Sequence, residues 1–241
     1  MDVQKYLSRI GCSVCPHSPT LDTLRFLHLQ HMLSVPFENL TIHTGQRVHL
    51  ELPLLYDKIV LKRRGGFCFE NNGLFSWLLS QLGFKVEILS AQLPLSLETD
   101  RTQTQGQGVY RVRADGNLLF METKSESDDG ASWVEMYKFT LQPCQREDFT
   151  VMCEYHQTSS SSIFFCKSLC TLLLPDGRVT LMGRNLIITH LTGENGPPVK
   201  TTKTDLTNEE ILQILREKFG IVLMSPLITK DTDIVPPSVE Y

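Results

Sequence analysis

The apolar residues of this 241-residue chain change their spacing at Lys85, and that change limits the fold more than any other feature. Before it they recur at helical intervals, and after it they fall in short β-favouring runs. Asp2 caps a short helix that Gly11 ends. Thr20 caps a second, which carries Leu21, Leu24, Leu27 and Leu33 until Pro36 forbids continuation. A third amphipathic segment holds Leu54, Leu55, Ile59 and Leu61 and stops at Gly65-Gly66. The spacing of Leu74, Phe75, Leu78, Leu79 and Leu82, with Gly83 behind them, predicts a fourth helix from about Phe69 to Leu82.

Beyond Lys85, strands are predicted over 85–90, 109–113, 118–123, 133–140, 170–174 and 178–182, the last two joined by the Pro175-Asp176-Gly177 turn. The polar segments 98–108 and 125–130 read as loops. Thr207 and Glu210 have capping-box spacing, so a final helix with Ile211, Leu212, Leu215 and Phe219 on its apolar face follows, and the proline-bearing tail from Ser225 is irregular. The expected architecture is α+β: a helical bundle over 1–84, a central antiparallel β region over 85–190, and a C-terminal helix and tail over 191–241 that complete an α/β portion.

Composition excludes several partners. With 23 basic against 27 acidic residues the net charge is −4, leaving no positive field for a nucleic acid. The first residues, MDVQKYLSRIG, lack the apolar stretch of a secretory signal, and no run approaches a membrane span, so no membrane partner and a cytoplasmic location are expected. Seven cysteines, an odd number, point to reduced thiols rather than a disulfide framework. Cys12 and Cys15 form a CxxC without two further ligands at sensible spacing, so no metal is expected.

The chemistry concentrates in Arg64-Gly65-Gly66-Phe67-Cys68-Phe69-Glu70. A cysteine between a glycine pair and a helix start lies where free backbone N–H groups favour a thiolate, which suits a nucleophile; a small buried residue at a helix start is the competing reading. Glu38 and Glu70 read as capping carboxylates, and Arg64 as a brace for the loop beside Cys68.

Val35-Pro36-Phe37-Glu38-Asn39-Leu40 followed by Arg64-Gly65-Gly66-Phe67-Cys68 resembles the arylamine N-acetyltransferase family, whose members carry a VPFENL-like loop and an RGG-aromatic-Cys motif. Similarity continues in Glu147-Asp148-Phe149, Tyr155, Gln157-Thr158-Ser159 and Pro175-Asp176-Gly177. The resemblance implies a cysteine-protease-like core and a ping-pong reaction. Acetyl-coenzyme A would acylate Cys68, coenzyme A would leave, and an arylamine or arylhydrazine nitrogen would take the acetyl group. It also implies coenzyme contacts at Tyr155 and Ser161 and an acceptor-pocket wall at Phe37. The alternatives are a packed tyrosine, a solvated serine and plain core packing.

The chain departs from the family where the family carries its catalytic histidine and aspartate. Phe84 to Gln92 passes directly to Leu93-Pro94-Leu95, and none of His17, His28, His31, His43, His49, His156 or His190 lies between Gly83 and Tyr110. The reading is an internally deleted member with an incomplete barrel. Loss of general acid–base help costs on the order of 10² to 10⁴ in rate, so weak or absent acetyl transfer is expected. The alternative is an inactive remnant or splice product that still binds coenzyme A or an aromatic ligand. A cysteine hydrolase ranks last, because it would need the same absent histidine.

Overall fold

A computed structural model of the chain describes residues 1–14, 16, 18–89, 98–105, 108–127, 130–191 and 198–236. The helices of the first third follow the sequence signals closely. Helix α1 (Val3–Arg9) is capped by Asp2, whose Oδ1 accepts from Lys5 N, and α2 (Leu21–Ser34) by Thr20, whose hydroxyl accepts from Thr23 N. Strand β1 (Phe37–Glu38) and the short α3 (Leu40–His43) follow Pro36. Helix α4 (Leu52–Tyr56) then runs into a π-helical turn over Asp57–Leu61, and α5 is Cys68–Gln81. These elements bury one core, centred on Tyr6, Leu7, Leu27, Ile59, Leu74 and Leu78.

The chain divides into two units, one of Met1–Val86 with Arg146–Tyr241 and one of Glu87–Gln145. The region 85–190 of the sequence reading is therefore shared between them. In the first unit, a 3-10 turn (Arg146–Phe149) leads into α6 (Thr150–Thr158) and α7 (Ile163–Cys166). Strands β6 (Leu169–Leu174), β7 (Gly177–Met182), β8 (Asn185–His190) and β9 (Val199–Lys203) join β1 in an open antiparallel sheet of order β1-β6-β7-β8-β9. Helix α8 (Asn208–Phe219) carries the reciprocal Thr207–Glu210 cap and lays Ile211, Leu215 and Phe219 against Cys170, Val179 and Leu181. The irregular tail is tied down by backbone bonds from Ile228 N to His43 O, Thr232 N to Cys166 O and Val235 N to Ser160 O.

The second unit is an open antiparallel sheet of order β2-β3-β4-β5, built from Gln103–Gln105, Gly108–Asp115, Leu118–Ser127 and Gly130–Phe139. Val112, Leu119, Met121 and Phe139 form its small core. On the opposite face Glu122 accepts from Arg111 and Arg113, and the pairing with β5 slips by one residue beside Met121/Glu122.

Several expectations need correction. No strand forms over the described part of 85–90. Among the described residues Ile88 makes an isolated bridge to Cys144, and a strand needs a continuous partner edge rather than one bridge. The polar 98–108 segment is not all loop, since Gln103–Gln105 pairs with Gly108–Tyr110. The 125–130 loop shrinks to a hairpin end, β4 continuing to Ser127 and β5 starting at Gly130. Strands β8 and β9 escaped notice. Cys15 and Ser90–Leu97 lie outside the described residues.

Candidate active site

Cys68 occupies the first position of α5, one residue earlier than the periodicity suggested, with Phe67 as the N-cap. What fixes it there is a buried charge network assembled from two motifs. Arg64 donates to Glu38 through Nε to Oε1 and through Nη2 to Oε2, both at 3.0 Å. Glu38 Oε2 also accepts from Leu40 N at 2.7 Å. Lys58 reaches Glu70 Oε1 at 2.6 Å, and Glu70 Oε2 accepts from Phe67 N at 3.1 Å. Glu70 thus caps the helix as its position suggested, whereas Glu38 is the wholly buried hub of the loop.

The glycine pair is required by space. A Cβ on Gly65 would lie 1.9 Å from Pro36 O, and one on Gly66 would lie 2.5 Å from Glu70 Cβ. The close approach lets Glu38 N donate to Gly66 O at 3.0 Å and Gly66 N to Pro36 O at 3.3 Å, zipping the two motifs together.

The network has opposite effects on its two carboxyls. Burial by itself would push Glu38 up, but Lys58 and Arg64, with the bonds from Arg64 and Leu40, hold it below the usual carboxylate range. Burial raises Glu70, and although Lys58 pulls it down, the neighbouring Glu38 carboxylate adds to the rise. For Cys68 burial also dominates: the thiol is pushed up to about 11, although the N–H groups of Phe69 and Cys68 pull the other way. The helix start therefore does not make this thiol acidic, contrary to what its position alone suggested.

Cys68 is partly buried in a cluster with Phe37, Phe69 and Phe164 around Val48, Phe67 and Cys153. Helix α6 contributes Cys153 and, one turn on, His156. The His156 ring meets Phe164 at 5.0 Å, Phe69 at 5.9 Å and Phe67 at 6.3 Å between centroids, and its Nδ1 is 2.9 Å from Ser162 Oγ. Burial lowers the His156 pKa. Cys153 is likewise pushed up to about 11, by burial first and by the charge of Glu70.

The structure brings Phe37 and Cys68 into one cluster. Tyr155 stands partly buried beside it, its ring 5.5 Å from that of His156, and Ser161 sits in the α6–α7 turn, its N–H bonded to Ser159 Oγ. Lys58, Cys153, His156 and Phe164 were not singled out from sequence. Nothing local marks them, because each reaches the site only through packing between distant elements.

Among the described residues no histidine hydrogen-bonds Cys68. His31 faces Tyr6 Oη, His43 faces Phe164 O, His49 faces Glu51, His156 faces Ser162 and His190 faces Asp176, while the His28 ring packs on Phe75. Among the same residues no group of three or more histidine, cysteine or acidic side chains could hold a metal, and no helix is long and apolar enough to cross a membrane.

The N-acetyltransferase family model matches residues 20–93 and 90–228. The chain is 30% identical over 285 positions to the arylamine N-acetyltransferase pineal gland isozyme NAT-3 of Gallus gallus, covering 96% of this chain and 98% of that one. It is 29% identical to arylamine N-acetyltransferase 1 of Homo sapiens, with 97% and 98% covered. Among solved structures, arylamine N-acetyltransferase from M. tuberculosis superposes with a TM-score of 0.76 at 27% identity over 91% of this chain and 94% of that chain. The Mycobacterium marinum enzyme in complex with CoA does so with a TM-score of 0.76 at 27% identity over 91% and 93%. Fold, motif geometry and similarity along nearly the whole length agree that the chain belongs to the arylamine N-acetyltransferase family.

Proposed function

We propose that this chain retains the acetyl-acceptor thiol of an acetyl-coenzyme A-dependent arylamine N-acetyltransferase in a cysteine-protease-like setting, but turns over slowly or not at all. In the reaction, Cys68 Sγ would attack the acetyl carbonyl, coenzyme A would leave as its thiol, and an arylamine or arylhydrazine nitrogen would take the acetyl group from the thioester. The observation that carries the reading is Cys68 at the head of α5 inside an aromatic cluster, without a hydrogen-bonded imidazole among the described residues. At a pKa of about 11, roughly one thiol in ten thousand is ionised at pH 7, and no base positioned among the described residues makes up the difference.

An internal deletion relative to the family accounts for the missing base. In support, the family model matches in two pieces that meet at 90–93. The 285-position alignment to the Gallus gallus isozyme takes up 96% of a 241-residue chain, so roughly fifty of its positions face gaps here. Phe37 is proposed as acceptor-pocket wall, and Tyr155 and Ser161 as coenzyme contacts, on the strength of motif resemblance and of a similar fold solved with CoA. The six described cysteines are free, which fits the cytoplasmic location expected from sequence. The raised thiol pKa favours a second reading, an inactive remnant that still binds coenzyme A or an aromatic ligand.

The deciding experiment incubates the purified chain with acetyl-coenzyme A and an arylamine, measuring intact mass and turnover beside the human enzyme. The proposal expects a slow acetyl adduct, lost in Cys68→Ser, and little turnover. Turnover matching the human enzyme would overturn it, and coenzyme binding without any adduct would favour the second reading.

A further inference from the structure

His156 continues the aromatic wall to which Phe37 belongs. The rings of Phe37 and Phe164 lie 5.8 Å apart and those of Phe164 and His156 5.0 Å apart, so the wall begins at Phe37 and ends on an imidazole. The same imidazole meets Phe67 and Phe69, the two chain neighbours of Cys68. Its place on α6 explains the contact. Residues three apart share a helix face, which sets His156 beside Cys153, a buried member of the Cys68 cluster. Cys68 and His156 are both half-buried, so each keeps part of its surface open to an incoming molecule.

A single hydroxyl holds the ring. Ser162 Oγ lies 2.9 Å from His156 Nδ1 and 3.5 Å from His156 O, and it accepts from Phe164 N at 3.3 Å. A hydroxyl has one proton to give. All three contacts are made when the Nδ1 N–H donates to the oxygen and the hydroxyl donates to His156 O; were the hydroxyl to donate to Nδ1, the contact with His156 O would be lost. The first arrangement leaves Nε2 without a proton, and among the described residues Nε2 makes no hydrogen bond. Burial lowers the pKa of the ring and keeps it neutral near pH 7. The titratable groups on the helices around it are Cys68 and Glu70 on α5, Cys153, Glu154 and Tyr155 on α6, and Cys166 on α7. Among the described residues none of them is bonded to the ring.

We propose that His156 Nε2 is the proton acceptor when an arylamine takes the acetyl group from Cys68. The inference rests on the acetyl-transfer reading and concerns its second half alone. In the free chain the ring does not hydrogen-bond Cys68, so it does nothing to ionise the thiol. The amine nitrogen, at the imidazole end of the wall, bonds to the acetyl carbon, and its proton passes to Nε2. The carbon–sulfur bond then breaks and the imidazolium returns the proton to the departing sulfur, leaving the amide and the free thiol.

The test separates the two halves by loading Cys68 of the full chain with p-nitrophenyl acetate, a more reactive acetyl donor, the Cys68→Ser variant confirming the site. Loss of the adduct to an arylamine that is unprotonated throughout the pH range is then followed by intact mass. In the wild type the rate is expected to rise with pH below 6.5 and to level above it, because a protonated ring accepts nothing. His156→Gln should lose that rise and be slower by about a hundredfold. His156→Ala should recover on addition of free imidazole, Ser162→Ala should fall between, and His190→Gln should match the wild type. Should His156→Gln fail to fold, the wild-type profile and the imidazole rescue decide. Equal rates in wild type and His156→Gln, or no rescue of His156→Ala, overturn the assignment. An adduct from p-nitrophenyl acetate but none from acetyl-coenzyme A overturns the acetyl-coenzyme A reading, while the same rates still decide the role of His156. No adduct from either donor overturns both.

Discussion

Arg64 holds Glu38 with both arms of its guanidinium, each bond 3.0 Å long, and the carboxylate it grips is fully buried. The pair joins two sequence motifs 26 residues apart and anchors the backbone that presents Cys68. A buried pair of this kind is weak evidence of net stabilisation over an apolar substitute, but removing one partner strands the other without water.

Glu38→Ala is therefore expected to destabilise the fold by about 3–5 kcal/mol in urea denaturation, leaving Arg64 uncompensated. Arg25→Ala, which breaks only the exposed pair with Asp22, should change stability by less than about 0.5 kcal/mol. Equal effects at the two sites would show that the buried network does not organise the loop.

Gly65→Ala should be the more damaging of two single-methyl additions. Its Cβ meets a backbone carbonyl at 1.9 Å, which cannot swing away, whereas the Cβ of Gly66→Ala meets the side chain of Glu70 at 2.5 Å. Overpacking of this kind costs about 1–3 kcal/mol or more, and the loss should also appear as faster labelling of Cys68 by thiol reagents. A melting temperature unchanged in both variants would contradict the packing described.

Alkylation of Cys68 should quicken about tenfold per pH unit from pH 7 to pH 10 without levelling off, because its thiol pKa is pushed up to about 11. Peptide mapping separates it from Cys153, which is shifted similarly. A plateau near pH 8.5 would mean that the helix start prevails over burial after all.

His31 is buried against Tyr6 and Phe75, and burial, with the nearby charges of His28 and Arg9, lowers its pKa to about 3. The folded state thus holds His31 neutral while the unfolded chain takes up a proton near pH 6.5. Its stability contribution is full above pH 6.5 and is lost progressively as pH falls toward 3. Between pH 7 and pH 5 the loss should be about 2 kcal/mol by denaturant titration, and His31→Gln should flatten that slope. A variant with the wild-type slope would assign the acid sensitivity elsewhere.

Sequence alone determined α1, α2, α5 and α8 and the place of Cys68 at a helix start. Thr20, Pro36, Thr207 and Gly220 mark helix ends through local backbone chemistry, and the leucine spacing of α5 through its period, so neither needs a tertiary partner to be read. Strands were less legible. Gln103–Gln105 and Val199–Lys203 are polar, edge-forming segments without alternation, and they become strands only because a neighbouring edge accepts them. Lys85–Leu89 had the right residues, yet among the described residues it forms an isolated bridge from Ile88 to Cys144 and not a ladder. Tertiary structure alone decided the surroundings of Cys68, bringing Cys153, His156 and Phe164 from some 85 to 96 residues away in the chain. It also decided the sign of the thiol's pKa shift, because burial is a property of what packs around a group, and the local motif carries only the weaker pull of two backbone amides.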